Sequence, residues 1–233
     1  MIRSVFPIRN WTFETESVLK DLPQQDLDRL SLHMNDQKYA KGEIVFREGA
    51  YPTGIYYIRE GKVKKFKASK KGREQIIYVA NSGELIGYHA LLAEERYPDA
   101  AATLEDSNIS FIPREDFLEV LHNSKILSQR LLKTLSHEFS VFVNSVASFA
   151  HQNVRERFAM QLILLREKYK HNFIPGMDVE INMSRDDLAN LVGTARENIV
   201  RIIKDFKEEG ILETNGRKII IKDIKQLLKI SNY

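Results

Sequence analysis

Cysteine is absent from the 233-residue chain. That single gap removes disulfides, zinc ribbons, thiolate haem ligation, cysteine-held iron–sulfur clusters and any cysteine nucleophile. Long apolar runs are missing too, so no membrane span is expected. The start, MIRSVFPIRNWTFETES, has neither a long apolar stretch nor a small-residue cleavage site. No secretory signal is expected, and a cytoplasmic location is. There is no Ser/His/Asp arrangement, phosphate loop or HExxH motif. His89 is the only histidine between residues 36 and 113, which leaves a cupin-like enzyme without its His/Glu metal cluster. The chain is therefore not expected to be an enzyme. Strong net charge is lacking as well, at +3. Its placement is uneven: residues 151–233 hold 15 basic and 12 acidic side chains, against 20 and 20 in residues 1–150. A mildly basic last third is compatible with nucleic acid.

What is present divides the chain. Hydrophobic residues make up 43% and charged residues 29%, a globular composition. Seven of the eleven glycines fall within residues 42–87. Between them stand EIVF (43–46), GIYYI (54–58), KVKKFKA (62–68) and EQIIYVA (74–80), and a further strand is read at Asn108–Ile112. Short β-branched and aromatic stretches at this interval read as an antiparallel sandwich or barrel. KKGRE (70–74) is its hairpin tip, with Gly72 free to take positive φ. Ahead of this block, Gln24–Met34 follows Pro23 and carries Leu27, Leu30 and Met34 at helical spacing.

From about residue 116 to 150 there is neither glycine nor proline, and one long helix is expected. Leu132, Leu135, Phe139, Phe142, Val146, Phe149 and Asn153 recur at alternating steps of three and four. Such a seam pairs two helices in a homodimer, or lays one helix on its own β-domain. KHNFIPGMDVE (170–180) reads as a connector. The domains are thus placed at 1–115 (β-roll with N-terminal helices), 116–152 (dimerisation helix) and 153–233 (winged helix-turn-helix), an α+β chain.

Ser184–Phe206 has the layout of a helix-turn-helix. Ser184 is a cap with Asp187 three residues on; Leu188, Ala189 and Val192 form the inner stripe, and Gly193 supplies the turn. Thr194 is expected to cap the second helix in a capping box with Glu197. Ile199, Ile202, Ile203 and Phe206 then point inward, and Arg196, Glu197, Val200, Arg201 and Lys204 outward. Arginine bonds guanine O6 and N7, glutamate accepts from cytosine N4, and a valine methyl touches thymine. The alternative is an ordinary solvated face. Gly210 ends the helix, and Ile211–Thr214, Asn215-Gly216 and Arg217–Ile221 read as a β-hairpin, the wing, with Arg217 and Lys218 near phosphate.

This order of parts resembles the CRP/FNR family of bacterial transcription regulators over about residues 19–221. The likeness is carried by LKDLPQQDLDRL (19–30), KGEIVFREGAYPTGIYYIREGKVKKF (41–66), IPREDFLEVL (112–121) and SRDDLANLVGTARENIVRIIKDFKEEGIL (184–212). The resemblance implies a cyclic-nucleotide-binding-like jelly roll and a homodimer on an inverted repeat. It implies that Arg196, Glu197 and Arg201 read a TGTGA-like half-site, supported by Ser184, Arg185, Thr194, Val200, Lys204, Arg217 and Lys218. Half-sites lie about one helical turn, roughly 34 Å, apart in such complexes. It also implies RNA polymerase contact near residues 47–66, and allosteric control of DNA reading by an effector in the roll.

Where relatives that bind cyclic nucleotides carry a Gly-Glu-Leu turn and an Arg-Ser or Arg-Thr pair, this chain reads Gly87-Tyr88-His89-Ala90 and Tyr97-Pro98-Asp99-Ala100, with Arg96 early. The positions facing adenine are Phe142 and Val143. Loss of the bidentate arginine and gain of Asp99 disfavour an anion site, so cyclic AMP is not expected. Iron–sulfur sensing, found in other branches, is excluded by the missing cysteines. Haem stays open through His89, in the stretch where the carbon-monoxide-sensing branch places its haem histidine; a small apolar or acidic metabolite, or no ligand at all, stays open beside it. A kinase-type nucleotide-sensing subunit is countered by the helix-turn-helix and wing.

Overall fold

The structure, a computed structural model, describes residues 6–13, 15–170 and 178–232. Most of the expected connector, 171–177, lies outside the described residues. Contacts divide the chain into two compact units, Phe13–Phe139 on one hand and Ser140–Tyr233 with the chain up to Thr12 on the other.

The first unit opens with α1 (Glu16–Leu19) and α2 (Gln24–Ser31), then β1 (Asn35–Tyr39), β2 (Ile44–Phe46), β3 (Gly54–Glu60), β4 (Lys62–Ala68), β5 (Glu74–Asn81) and β6 (Leu85–Ile86). There follow α3 (Tyr88–Ala93), β7 (Ala100–Thr103), β8 (Ser107–Pro113), α4 (Arg114–Asn123) and the start of α5 (Lys125–His151). Two antiparallel four-stranded sheets, ordered β1-β8-β3-β6 and β2-β7-β4-β5, form the roll. The strands read at 43–46, 54–58, 62–68, 74–80 and 108–112 correspond to β2, β3, β4, β5 and β8 within a residue or two. Ile55, Ile58, Val63, Ile76, Ala101, Ile109 and Ile112 are buried inside it. The β3–β4 turn needs Gly61: its φ is +93°, and a Cβ there would sit 2.1 Å from Ser107 Oγ. Val18, Leu30, Ile55, Leu85, Tyr88, Leu91, Ile112, Phe117, Leu127 and Leu131 make one cluster that seats the helices on the roll.

Two helices replace the single one expected from about residue 116. Ser124 is extended (φ −97°, ψ 102°) and its Oγ accepts from the Leu127 amide at 3.2 Å, so a side-chain cap restarts the helix without glycine or proline. Likewise α2 stops at Ser31, short of Met34.

In the second unit, α5 ends at His151 and α6 (Val154–Tyr169) begins two residues after the break. Asn153 is the N-cap of α6, in a capping box with Glu156, and so belongs to the next helix and not to the seam. Then come β9 (Glu180–Asn182), α7 (Arg185–Val192), α8 (Arg196–Glu208), β10 (Leu212–Asn215), β11 (Lys218–Ile221) and α9 (Ile224–Ile230). The wing is a three-stranded sheet ordered β10-β11-β9, one strand more than the expected hairpin. Among the described residues, no helix is long and apolar enough to cross a membrane.

Candidate nucleic-acid interface and effector pocket

Local chemistry sets the two helices of the interface. Ser184 Oγ accepts from the Asp187 amide at 3.0 Å and starts α7. Gly193, at φ 74°, ends it in the left-handed turn that most side chains avoid. The N-cap of α8 is Ala195, with no side-chain cap, so the expected Thr194–Glu197 capping box is not formed. Helix α8 starts one residue later than that box requires. Thr194 Oγ1 instead accepts from Asn198 Nδ2 at 3.0 Å, and Asn198 Oδ1 accepts from Arg201 Nη2 at 3.1 Å.

Burial splits α8 as its spacing requires. Ile199, Ile202, Ile203 and Phe206 are buried, whereas Arg196, Glu197, Val200, Arg201 and Lys204 are exposed on one face. Phe206 stacks on Phe158 of α6 at 6.0 Å, and Arg155 pairs with Glu209 through contacts of 2.7 Å to both carboxylate oxygens. The recognition face is thus presented by a helix anchored at its back. Arg196 has only a loose, exposed pairing with Asp186 at 3.9 Å, and Lys204 a similar one with Glu208 at 3.7 Å. Such solvated pairs hold little energy and yield readily to a stronger partner.

The wing residues differ from one another. Lys218 Nζ is bound to Glu180 Oε2 at 2.5 Å, across β11 and β9. Arg217 is exposed at the tip and its side chain meets no partner among the described residues. Arg185 is half-buried and committed within the chain: it donates to the carbonyls of Arg217 at 2.9 Å and Gly216 at 3.2 Å, and partial burial lowers its pKa.

The effector residues of the roll unit form two polar groups that sequence reading did not connect. The first joins α3 to α5. Glu138, 2% exposed on α5, accepts from Tyr88 Oη through one oxygen and lies 2.5 Å from His89 Nε2 through the other. Tyr88 and His89 stack at 4.2 Å. Burial, reinforced by the Glu138 carboxylate, holds the Tyr88 phenol far above its usual range. His89 Nδ1 is buried and makes no hydrogen bond.

The second group is an ion pair. Lys65 Nζ and Asp99 Oδ2 are 3.0 Å apart, with both side chains only 10% exposed. Ala100, beside Asp99, is buried. Phe46 and Tyr97 stack at 4.1 Å, and Gly87 lies against the Tyr56 and Tyr97 rings. Arg96 is committed elsewhere: it donates to the Gly49 carbonyl at 2.8 Å and stacks on exposed Tyr51 at 4.0 Å. Phe142 and Val143, read as facing the effector, are exposed residues of the other unit.

His89 Nε2 is held by the buried Glu138 carboxylate, and Nδ1 is buried without a hydrogen bond. No group of three or more His, Cys, Asp or Glu is placed to hold a metal ion among the described residues.

Along α5, Leu132 (68%), Phe139 (71%) and Val146 (68%) are the most exposed of the seam residues, with Phe142 and Phe149 also exposed. Leu135 is the exception, packed against the roll's core.

Comparison with known proteins agrees with this geometry. Residues 36–124 match the cyclic nucleotide-binding domain family, and residues 156–230 match the Crp-like helix-turn-helix domain. The chain belongs to the CRP/FNR family of transcription regulators. An anaerobic regulatory protein of Aggregatibacter actinomycetemcomitans is 26% identical over 90% of this chain and 82% of its own length. The fumarate and nitrate reduction regulatory protein of Escherichia coli K12 is 25% identical over 91% of this chain and 85% of its own. A CRP/FNR-family regulator from Eubacterium rectale has the same fold, with a TM-score of 0.73 at 20% identity, covering 93% of this chain and 98% of that one. As a member of this family the protein is a DNA-binding regulator and not an enzyme.

Proposed function

We propose that the protein is a cytoplasmic homodimer that reads an inverted repeat of TGTGA-like half-sites. The observation that carries this is the outer face of α8, where Arg196, Glu197 and Arg201 stand exposed around Val200 while the opposite stripe is buried. A glutamate is repelled by phosphates, so its place between two arginines favours base reading: arginines on guanine, Glu197 on cytosine. Thr194, Lys204 and Arg217 supply backbone contacts. The exposed apolar seam of α5 supplies the dimer contact, and the stretch around Tyr51 meets RNA polymerase.

The effector reading follows from charge. Lys62 and Lys65 are buried cations of the roll, and Glu105 and Asp99 already neutralise them, so an anionic nucleotide finds no free counter-charge at either. Haem is set aside because Glu138 holds His89. The roll works with its interior filled by its own side chains, or with a small uncharged metabolite. Control passes from α3 through Tyr88 and His89 to Glu138, one residue from Phe139 in the seam. The relatives' names point to anaerobic regulation; with no cysteine, this chain serves that role without a cysteine-held cluster.

Gel shifts on TGTGA-type palindromes test the reading. Replacing Arg196 or Arg201 by Ala is expected to cost about 1–3 kcal/mol and to relax base choice at one position. No specific shift on any palindrome, or uniform weakening on all sequences, rejects the base-reading assignment.

A further inference from the structure

Arg185 occupies the first position of α7, where a cation is unfavourable. The helix N-terminus carries positive charge, and the next two residues, Asp186 and Asp187, follow the rule that Arg185 breaks. Its guanidinium is also partly removed from water. Two costs at one residue call for a compensating contact, and the structure supplies it 31 and 32 residues away. Nη2 donates to Gly216 O and Nη1 to Arg217 O. Gly216 and Arg217 are the two loop residues between the paired ends Asn215 and Lys218, so their carbonyls have no partner within the hairpin ladder.

We propose that Arg185 is a positioning residue that clamps the wing tip to the start of α7, and that it acts on DNA through Arg217. The planar guanidinium spans two successive carbonyls, which one ammonium point charge cannot reproduce. With the tip fixed, the free Arg217 side chain leaves a defined origin and loses less entropy on meeting a phosphate. The clamp rests on the DNA-reading assignment above only for its consequence; the intramolecular contact stands by itself.

Full-length wild type, R185K, R185Q, R217A and the double variant R185K/R217A are compared by gel shift on one specific palindrome over a salt series. If Arg185 clamps the wing, R185K and R185Q both weaken binding about tenfold. Both also lower the salt slope by about one, the share of Arg217, and R185K/R217A is no weaker than R217A. If Arg185 is itself a phosphate contact, R185K keeps the affinity and slope, which overturns the proposal; additive losses in the double variant do the same. Tryptic cleavage after Arg217 gives a readout free of DNA. R185K is expected to be cut several-fold faster than wild type, and an unchanged rate overturns the clamp. A wild-type protein with no specific shift rejects the DNA-reading assignment instead, and the tryptic rates still decide the clamp.

Discussion

Neutralising Asp99 by substitution with Asn tests how the roll manages charge. The pair it would break lies 3.0 Å apart with each side chain only 10% exposed. Losing one partner of a fully buried pair costs about 3–5 kcal/mol, because the other charge is stranded. The remaining exposure places D99N at the low end, about 3 kcal/mol, or about 10 °C in Tm for a unit of roughly 130 residues. K65M strands the carboxylate and should cost a similar amount. Removing both charges is a different matter: K65M/D99N is expected to cost less than either single variant, about 1 kcal/mol. Urea unfolding followed by circular dichroism, at one fixed protein concentration, reads all four corners of this cycle. A second readout concerns ligands. In D99N the unpaired Lys65 becomes an anion site, so millimolar phosphate should raise the Tm of D99N and leave wild type unchanged. Additive single and double costs, or a D99N loss below about 0.5 kcal/mol as for a solvated pair, would refute the reasoning. So would stabilisation of wild type by cyclic AMP.

Three further outcomes are expected. F139D should leave the fold intact, since Phe139 is 71% exposed in the single chain, but should shift sedimentation from dimer to monomer; a dimer that persists removes the seam assignment. Alkaline pH should destabilise the protein in a defined window. Burial pushes the Tyr56 phenol up to about 12, and Tyr88 and Tyr97 higher still, so above pH 10 the folded chain keeps protons that the unfolded chain releases. Their contribution is whole below about pH 10 and is lost as pH rises from there, by up to about 1.4 kcal/mol per pH unit per tyrosine; a Y88F unfolding profile as steep as wild type would contradict this. Haemin added to the protein should give no Soret shift, and a shift abolished by H89A would restore the haem reading.

The parts of the fold visible in the sequence are those where burial imposes a period. β3, β4 and β5 carry β-branched and aromatic residues between glycines, and α8 carries its four inward side chains at helical steps. β1 was invisible because Asn35–Tyr39 is a polar edge strand, defined by its register against Phe111–Ser107 of β8 and not by an apolar face. β7, Ala100–Thr103, lacks large side chains, yet it is clamped between β2 and β4, so the sheet and not propensity decides its state. The break at Ser124 rests on one hydroxyl. Glu138 and Arg185 were hidden for another reason. A charged residue on a helix reads as solvated, and only partners 49 and 31 residues away reveal that Glu138 is buried and that Arg185 is spent on the wing.

The long helix α5 shows why a strict heptad left two readings open. It carries two interleaved stripes. Leu127, Leu131, Thr134, Glu138 and Val141 are buried within the chain and step by fours and threes, with buried Ser148 one heptad further on. Leu132, Phe139, Val146 and Phe149 form the other stripe and are exposed. The proposed pairing with a second copy therefore need not compete with packing inside the chain, since the buried and exposed stripes lie on different sides of the helix. Polarity alone does not reveal which stripe faces inward. Thr134, Glu138 and Ser148 interrupt the buried stripe, and Glu138 is tolerated there because Tyr88 and His89 satisfy its oxygens. The exposed stripe has no such residues and is almost wholly apolar. Each large side chain left in water forgoes about 1.5–3 kcal/mol, so its chemistry is that of a surface awaiting an apolar partner, and a second α5 presents the same period.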